Sequence, residues 1–152
     1  MLKINIISIG KIKEKYISDG IKEYQKRIEK YVNLKIIELN EEEDNVTAIQ
    51  KESTRIIEEI TNKRAYNILL DIKSNNLSSE QLASKIDKLT MSYSTINFII
   101  GGSRGANDEV RKKCDYLLSF SNMTFPHQLF RLMLVEQIYR SICIINNIKY
   151  HK

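Results

Sequence analysis

The side chains best suited to proton transfer and phosphate contact crowd into the last quarter of the 152-residue chain. Both histidines, His127 and His151, lie there with Arg131, Glu136, Arg140, Tyr150 and Lys152. Imidazole, carboxylate and phenol are the groups that serve as general acids and bases, and Arg and Lys hold phosphate oxygens. His127 and Arg131 stand four residues apart, as do Glu136 and Arg140, so each pair shares one face of a helix. Taken singly, Glu136 with Arg140 also fits a surface ion pair, His127 a histidine bonded to backbone at a helix start, and residues 150–152 a frayed end. Two other segments suit ligand contact. Residues 101–105, Gly-Gly-Ser-Arg-Gly, hold three of the five glycines, and glycine lets a ligand approach the backbone. Residues 121–125, Ser-Asn-Met-Thr-Phe, form a polar loop. The glycines match neither G-x-G-x-x-G nor a phosphate loop ending in G-K-[ST], so a plain tight turn is an equal reading of them.

The elements that must position these groups are read from apolar spacing. Apolar residues at 2, 4, 6, 7 and 9 make a strand ended by Gly10, and Ile17, Ile21, Tyr24, Ile28 and Tyr31 predict an amphipathic helix over 14–31. Strands follow at 34–39, 66–72, 95–100 and 116–120. Ile49, Ile56, Ile57 and Ile60 mark a second helix, residues 41–44 an acidic solvated loop, and residues 73–76 a turn. Ser78 and Gln81 form a capping box before a third helix carrying Leu82, Ile86 and Leu89. A short helix lies at 108–113, and Pro126, the only proline, opens a last helix that turns Phe130, Leu134, Ile138 and Ile142 inward. Strands alternating with helices predict one α/β domain over 1–152 with an open, mostly parallel sheet flanked by helices. Ligands of such sheets sit beyond the carboxyl ends of strands. That rule nominates Leu70 with Asp71, residues 101–105 and residues 120–125.

Composition removes whole classes. With 42% hydrophobic and 28% charged residues the chain is an ordinary globular protein, not a disordered or fibrous one. Apolar runs such as 98–100 and 142–145 fall far short of the roughly 20 residues of a membrane span, and the charged start is unlike a secretory signal, so the expectation is a cytoplasmic protein without membrane contact. Cys114 and Cys143 form no C-x-x-C and have no histidine at ligand spacing, which predicts reduced thiols and no metal. The net charge of +5 is uneven. Residues 1–100 carry 16 basic and 15 acidic side chains, residues 101–152 carry 8 and 4, and such a basic end suits a polyanionic partner.

In combination these segments resemble one family. Gly101-Gly102 at a strand end, Leu118-Ser-Phe-Ser121, Met123-Thr-Phe-Pro-His127, Arg131, Glu136-Gln-x-Tyr-Arg140 and Tyr150-His151-Lys152, in that order, are similar to the RlmH family of SPOUT-class methyltransferases. The likeness spans the chain, since Ile7-Ser-Ile-Gly-Lys11 and Tyr24-x-x-Arg27 match its opening. The resemblance, and not periodicity, implies a trefoil knot over about residues 95–152 and a homodimer. It implies S-adenosylmethionine as cofactor, contacted by Leu70, Gly101, Phe120, Ser121, Asn122, Met123, Thr124 and Phe125. The implied reaction is methylation of N3 of a pseudouridine in 23S ribosomal RNA, in the helix 69 stem-loop of the assembled ribosome. His151, Tyr150 and Glu136 become candidate catalytic groups, and Arg131, Arg140, Lys152 and His127 candidate RNA contacts. A ribosome assembly factor that transfers no methyl, and a SPOUT methyltransferase acting on transfer RNA, are the alternatives.

Overall fold

In the computed structural model, which describes residues 1–152, Ile4, Ile6, Ile7 and Ile9 place β1 (Lys3–Ile9) in the interior, buried on both faces. Burial on both faces is the mark of a central parallel strand. β1 pairs with β2 (Asn33–Leu39) and with β4 (Thr95–Ile100), β4 with β3 (Tyr66–Asn76), and β3 with β5 (Tyr116–Ser119). All four pairings are parallel, in the order β2-β1-β4-β3-β5. Helices α1 (Lys15–Ile28), α3 (Ser79–Leu89) and α5 (His127–Ile145) cover one face, packing Ile17, Ile21, Leu82, Ile86, Leu134, Val135 and Ile138 against Ile4, Ile6, Ile68, Ile96 and Phe98. The other face carries α2 (Ala48–Ile60) and α4 (Asp108–Lys113), whose Ile56, Ile60 and Val110 meet Ile7, Ile9, Leu69 and Ile99. Steps toward the β2 edge cross by α1 and α3, and steps toward the β5 edge by α2 and α4. All four crossovers therefore share one hand, as parallel connections require.

The strands and helices fall where the apolar spacing predicts them, with two differences. The first helix ends at Ile28 and not at residue 31, because the Tyr31 and Val32 amides both turn back to the Ile28 carbonyl, at 2.9 and 3.1 Å. The expected turn at 73–76 is instead the end of β3. Its register on β5 jumps between Leu70 and Asn75, each opposite Leu118, so the strand bulges and then resumes. Ser74 Oγ donates to Asp71 Oδ2 at 2.8 Å and Asn75 Nδ2 to the Leu117 carbonyl at 3.2 Å, so polar side chains carry a strand that has no apolar alternation. The capping box of α3 is present, with Gln81 N–H donating to Ser78 Oγ at 3.1 Å and Ser78 N–H to Gln81 Oε1 at 2.8 Å.

A row of amides crosses the middle of the sheet. Asn5 and Asn67 are both register partners of Asn97; Asn5 Nδ2 donates to Asn97 Oδ1 and Asn97 Nδ2 to Asn67 Oδ1, each at 2.9 Å. A one-residue slip would put these amides against isoleucine or aromatic side chains, so the row fixes the register on which the strand ends depend. Asn97→Ala leaves the partly buried amide of Asn5 and the buried amide of Asn67 without this partner and is expected to lower stability by about 1–3 kcal/mol. An unchanged urea midpoint would sink this assignment.

Candidate active site

The site is built on the carboxyl ends of β4, β3 and β5, which lie side by side. After β4 the chain doubles back, with Gly105 N–H donating to the Gly102 carbonyl at 2.9 Å and Gly105 at φ 82°. The return passes so close that a Cβ on Gly101 would stand 2.6 Å from the Gly105 carbonyl carbon and 3.0 Å from Ala106 N. Gly101 is thus required by the turn itself. Where Gly102 lacks a side chain, the carboxylate of Glu52 on α2 takes the space, 2.5 Å from the Cβ position. Arg104 reaches back to Asp44 at 2.6 Å, so the acidic 41–44 segment anchors this turn as well as facing solvent.

Beyond β5, Ser119 Oγ lies 2.8 Å from the Ile72 carbonyl and 3.0 Å from that of Ser121, tying the loop to the bulge of β3. Phe120 packs on Phe130 with ring centres 4.8 Å apart, and Phe125 stacks on the same ring at 6.3 Å. Between these anchors Asn122, Met123 and Thr124 are exposed. Met123 N–H donates to Ser121 Oγ at 3.0 Å, whereas the amides of Asn122, Thr124 and Phe125 donate to nothing in the chain. Open backbone donors flanked by two aromatic rings, beside a turn with no room for a Cβ, suit an adenosyl group held by main chain and apolar contact.

A cavity of about 580 Å³ opens next to this loop, within the range of small-molecule sites. Phe120 and Phe125 line it with Leu129, Leu132, Met133, Glu136 and Gln137 of α5, Leu77, Ser78, Ser79 and Leu82 from the α3 start, Leu118 of β5 and Tyr24 of α1. Leu70 and Gly101 are not in its wall, although their strands adjoin β5 directly or through one neighbour.

The C-terminal tail docks on Glu136 at this cavity. Glu136 Oε1 accepts from Arg140 Nε at 3.0 Å, Arg140 Nη2 at 2.6 Å and the Tyr150 hydroxyl at 2.9 Å, and Oε2 accepts from Gln137 Nε2 at 3.1 Å. Arg140 Nη1 lies 3.1 Å from His151 Nδ1, and His151 Nε2 lies 2.7 Å from Glu80 Oε1. The Tyr150 ring meets Tyr139 edge-on at 4.8 Å and lies under the Arg140 guanidinium, also at 4.8 Å. The frayed-end and surface-pair readings of these residues are therefore set aside. Sequence reasoning did not single out Glu80, Gln137 or Ser79 for this network; Ser79 Oγ donates to Gln137 Oε1 at 2.8 Å. Ser79 and Glu80 stand in the first turn of α3 and Gln137 on α5, and no spacing in the sequence marks them as partners of the tail.

Two expectations change with the geometry. Arg131 is not an RNA contact: it is 1% exposed, with Nη1 donating to Glu38 Oε2 at 2.7 Å and Nη2 to the Gly10 carbonyl at 3.0 Å. It falls on the inward stripe with Leu134, Val135, Ile138 and Ile142, and burial pulls its pKa down while Glu38 opposes that. Arg140 Nε, Nη1 and Nη2 each make a bond within the chain, which uses three of the guanidinium's five N–H groups and leaves two for another partner. Tyr150 is a donor and not a base, because burial, then its bonds to Tyr24 and Glu136, push its pKa above the usual phenol range. His127, half-buried, opens α5 without a hydrogen-bond partner in the chain, and Lys152 is exposed at the end.

No group of three or more His, Cys, Asp or Glu side chains is placed to hold a metal ion, and no helix is long and apolar enough to cross a membrane. Both cysteines are free, and burial raises the Cys114 thiol to about 12.

The profile of the family described as "Predicted SPOUT methyltransferase" matches residues 2–151. The protein named ribosomal RNA large subunit methyltransferase H from Fusobacterium nucleatum is 52% identical over 99% of this chain and 100% of its own length. Its namesakes from Finegoldia magna and Clostridium perfringens strain 13 are 48% and 46% identical, with the same coverage. A solved methylase family protein from Haemophilus influenzae Rd KW20 superposes with a TM-score of 0.55 at 12% identity, over 98% of this chain and 70% of that one, which is a likeness of fold. With a profile match over nearly the whole length, and relatives about half identical from end to end, the chain belongs to the RlmH family of SPOUT methyltransferases.

Proposed function

We propose that the protein transfers a methyl group from S-adenosylmethionine to N3 of a pseudouridine in 23S ribosomal RNA, in the helix 69 stem-loop of the assembled ribosome, in the cytoplasm. The observation that carries this reading is the tail: Tyr150 is docked on Glu136, at the wall of a cavity bounded by the 120–125 loop, and His151 on Arg140 and Glu80 beside it. The names of the relatives, which specify the large-subunit ribosomal RNA, support the substrate class.

Leu70, Gly101 and the loop residues Phe120, Ser121, Asn122, Met123, Thr124 and Phe125 hold the cofactor, the open amides facing its polar edges. S-adenosylmethionine supplies an electrophilic methyl on its sulfonium. Pseudouridine N3–H lies between two carbonyls and is weakly acidic, so the protein's main task is to align N3 with that methyl and keep water out. Glu136, with four donors on its two oxygens, anchors the tail, and Tyr150 orients it. His151 is left as the proton-handling group, its Nδ1 lone pair becoming available for the N3 proton when Arg140 Nη1 turns to RNA, and Arg140, Lys152 and His127 as the contacts for RNA. Apolar Leu129, Leu132 and Met133, outside the buried stripe of α5, suit coverage by a second copy in a homodimer whose chains carry the knot over about residues 95–152.

The test is transfer of labelled methyl to ribosomes that lack the modification, with mass mapping of the product. Label on N3 of a pseudouridine is expected. Label elsewhere, or none despite cofactor binding, rejects the target, and absence of cofactor binding favours the assembly-factor reading. In the same assay His151→Ala is expected to lower turnover about a hundredfold, the lower range for loss of an acid–base group, with cofactor affinity nearly unchanged. Undiminished turnover would remove His151 from the site.

A further inference from the structure

His151 is held at both ring nitrogens, and the two partners settle which nitrogen carries the proton. Arg140 Nη1, 3.1 Å from Nδ1, is a guanidinium nitrogen with hydrogens only to donate, so Nδ1 must present its lone pair. The carboxylate of Glu80, 2.7 Å from Nε2, can only accept, so Nε2 bears the hydrogen. A doubly protonated ring would set an N–H against an N–H at Nδ1. The pattern is that of a neutral imidazole in one tautomer, with its plane fixed from two different helices, α5 and α3.

We propose that Glu80 is a positioning residue for the methyl-transfer site: with Arg140 it locks His151 as the neutral, Nε2-protonated tautomer and pins the C-terminal tail to the start of α3 before RNA arrives. The inference rests on the functional reading above for its consequence, not for its geometry. Glu80 is suited to the task. It sits in the first turn of α3, where a carboxylate is favoured by the unpaired amides of the helix end, and its hydrogen bond to His151 holds it below the usual carboxylate range. The neighbouring Ser79 makes a second tie between the same turn and α5 through Gln137, so the two helices are braced where the tail lies across them. Residues 146–148 are tied to the end of α5 by backbone bonds to Ile142, Ile144 and Cys143, and Tyr150 also meets Tyr24 and Tyr139, so His151 is the tail's one tie to α3. Tyr150 is fixed by Glu136, but its bond leaves the following imidazole free to rotate unless both nitrogens are engaged.

The experiment is nitrogen NMR of the full-length protein labelled on histidine. With only two histidines, the His127→Gln variant assigns the His151 signals. The parent is expected to show a protonated Nε2 and a bare Nδ1 on His151. Glu80→Ala is expected to give a mixture of tautomers and about a tenfold lower turnover on ribosomes, the size of one lost charge-assisted hydrogen bond, with cofactor affinity unchanged. Glu80→Gln keeps an acceptor at the same place and should restore both. A His151 tautomer that is mixed in the parent, or unaltered in Glu80→Ala, overturns the proposal. So does turnover in Glu80→Ala equal to the parent's. The spectrum reads the lock without any substrate, so failure of the parent to methylate ribosomes would count against the functional reading alone. The Ser78–Gln81 capping box does not involve Glu80, and folding of both variants is checked by the same spectra.

Discussion

Gly101→Ala is expected to weaken S-adenosylmethionine binding about a hundredfold while the rest of the fold survives. The added Cβ would lie 2.6 Å from one backbone atom and 2.8 Å from another, both in Gly105, and no side-chain rotation relieves a clash with main chain. The 101–106 turn must move outward. Overpacking of this kind costs about 3 kcal/mol at the upper end of its usual range, which as binding free energy is about a hundredfold. Two other glycines give the scale. At Gly105 there is open space but φ is 82°, so alanine there strains only the local backbone. At Gly20 the nearest atoms are the methyls of Leu132, at 3.1 Å, which can shift slightly. The expected order of lost affinity, by titration calorimetry, is Gly101→Ala, then Gly105→Ala, then Gly20→Ala. Parent-like affinity in Gly101→Ala would take the turn out of the cofactor site.

The distinction among these glycines is not visible in the sequence, where residues 101–105 read equally as a tight turn. Both readings hold: it is a tight turn, and the turn is what leaves no room at Gly101. The architecture was more legible, because isoleucine alternation in β1 and β4 and the fourfold–threefold spacing in α1 leave only a parallel sheet covered by helices. Where the spacing misled, at residues 73–76, side-chain amides and hydroxyls had replaced apolar contacts as the reason for strand pairing.

The site was legible as a set of residues but not as a set of roles. Tyr150, His151, Glu136 and Arg140 are chemically ordinary until the tail folds back across α5. The partners that define them, Tyr24 at 126 residues' separation from Tyr150 and Glu80 at 71 from His151, are set by tertiary contact. Arg131 shows the opposite limit. An arginine four residues from a histidine in a basic segment invites an RNA role, and only its helical phase, three before Leu134 and seven before Ile138, hints that it points inward.

Arg131→Met should therefore act on stability and not on RNA. The guanidinium closes the ends of β1 and β2: it bonds Glu38 Oε2 and the carbonyls of Ile9 and Gly10, the last two at 3.4 and 3.0 Å. Methionine fills similar volume but leaves the two carbonyls and the carboxylate without donors. Removing one partner of a buried pair costs about 3–5 kcal/mol. Because the Glu38 side chain is 34% exposed, water recovers part of that loss, and the expected destabilisation is about 3 kcal/mol. For a chain of this size that lowers the melting temperature by about 6–12 °C. Arg131→Lys should recover only part, since one ammonium cannot span the carboxylate and both carbonyls in the arginine's planar geometry. Adding Glu38→Gln to Arg131→Met should restore some stability by removing the stranded charge. The dependence of ribosome binding on salt should stay as in the parent, because no phosphate contact has been lost. A parent-like melting temperature combined with a shallower salt dependence would return Arg131 to the RNA surface and leave the strand ends to be held by something else.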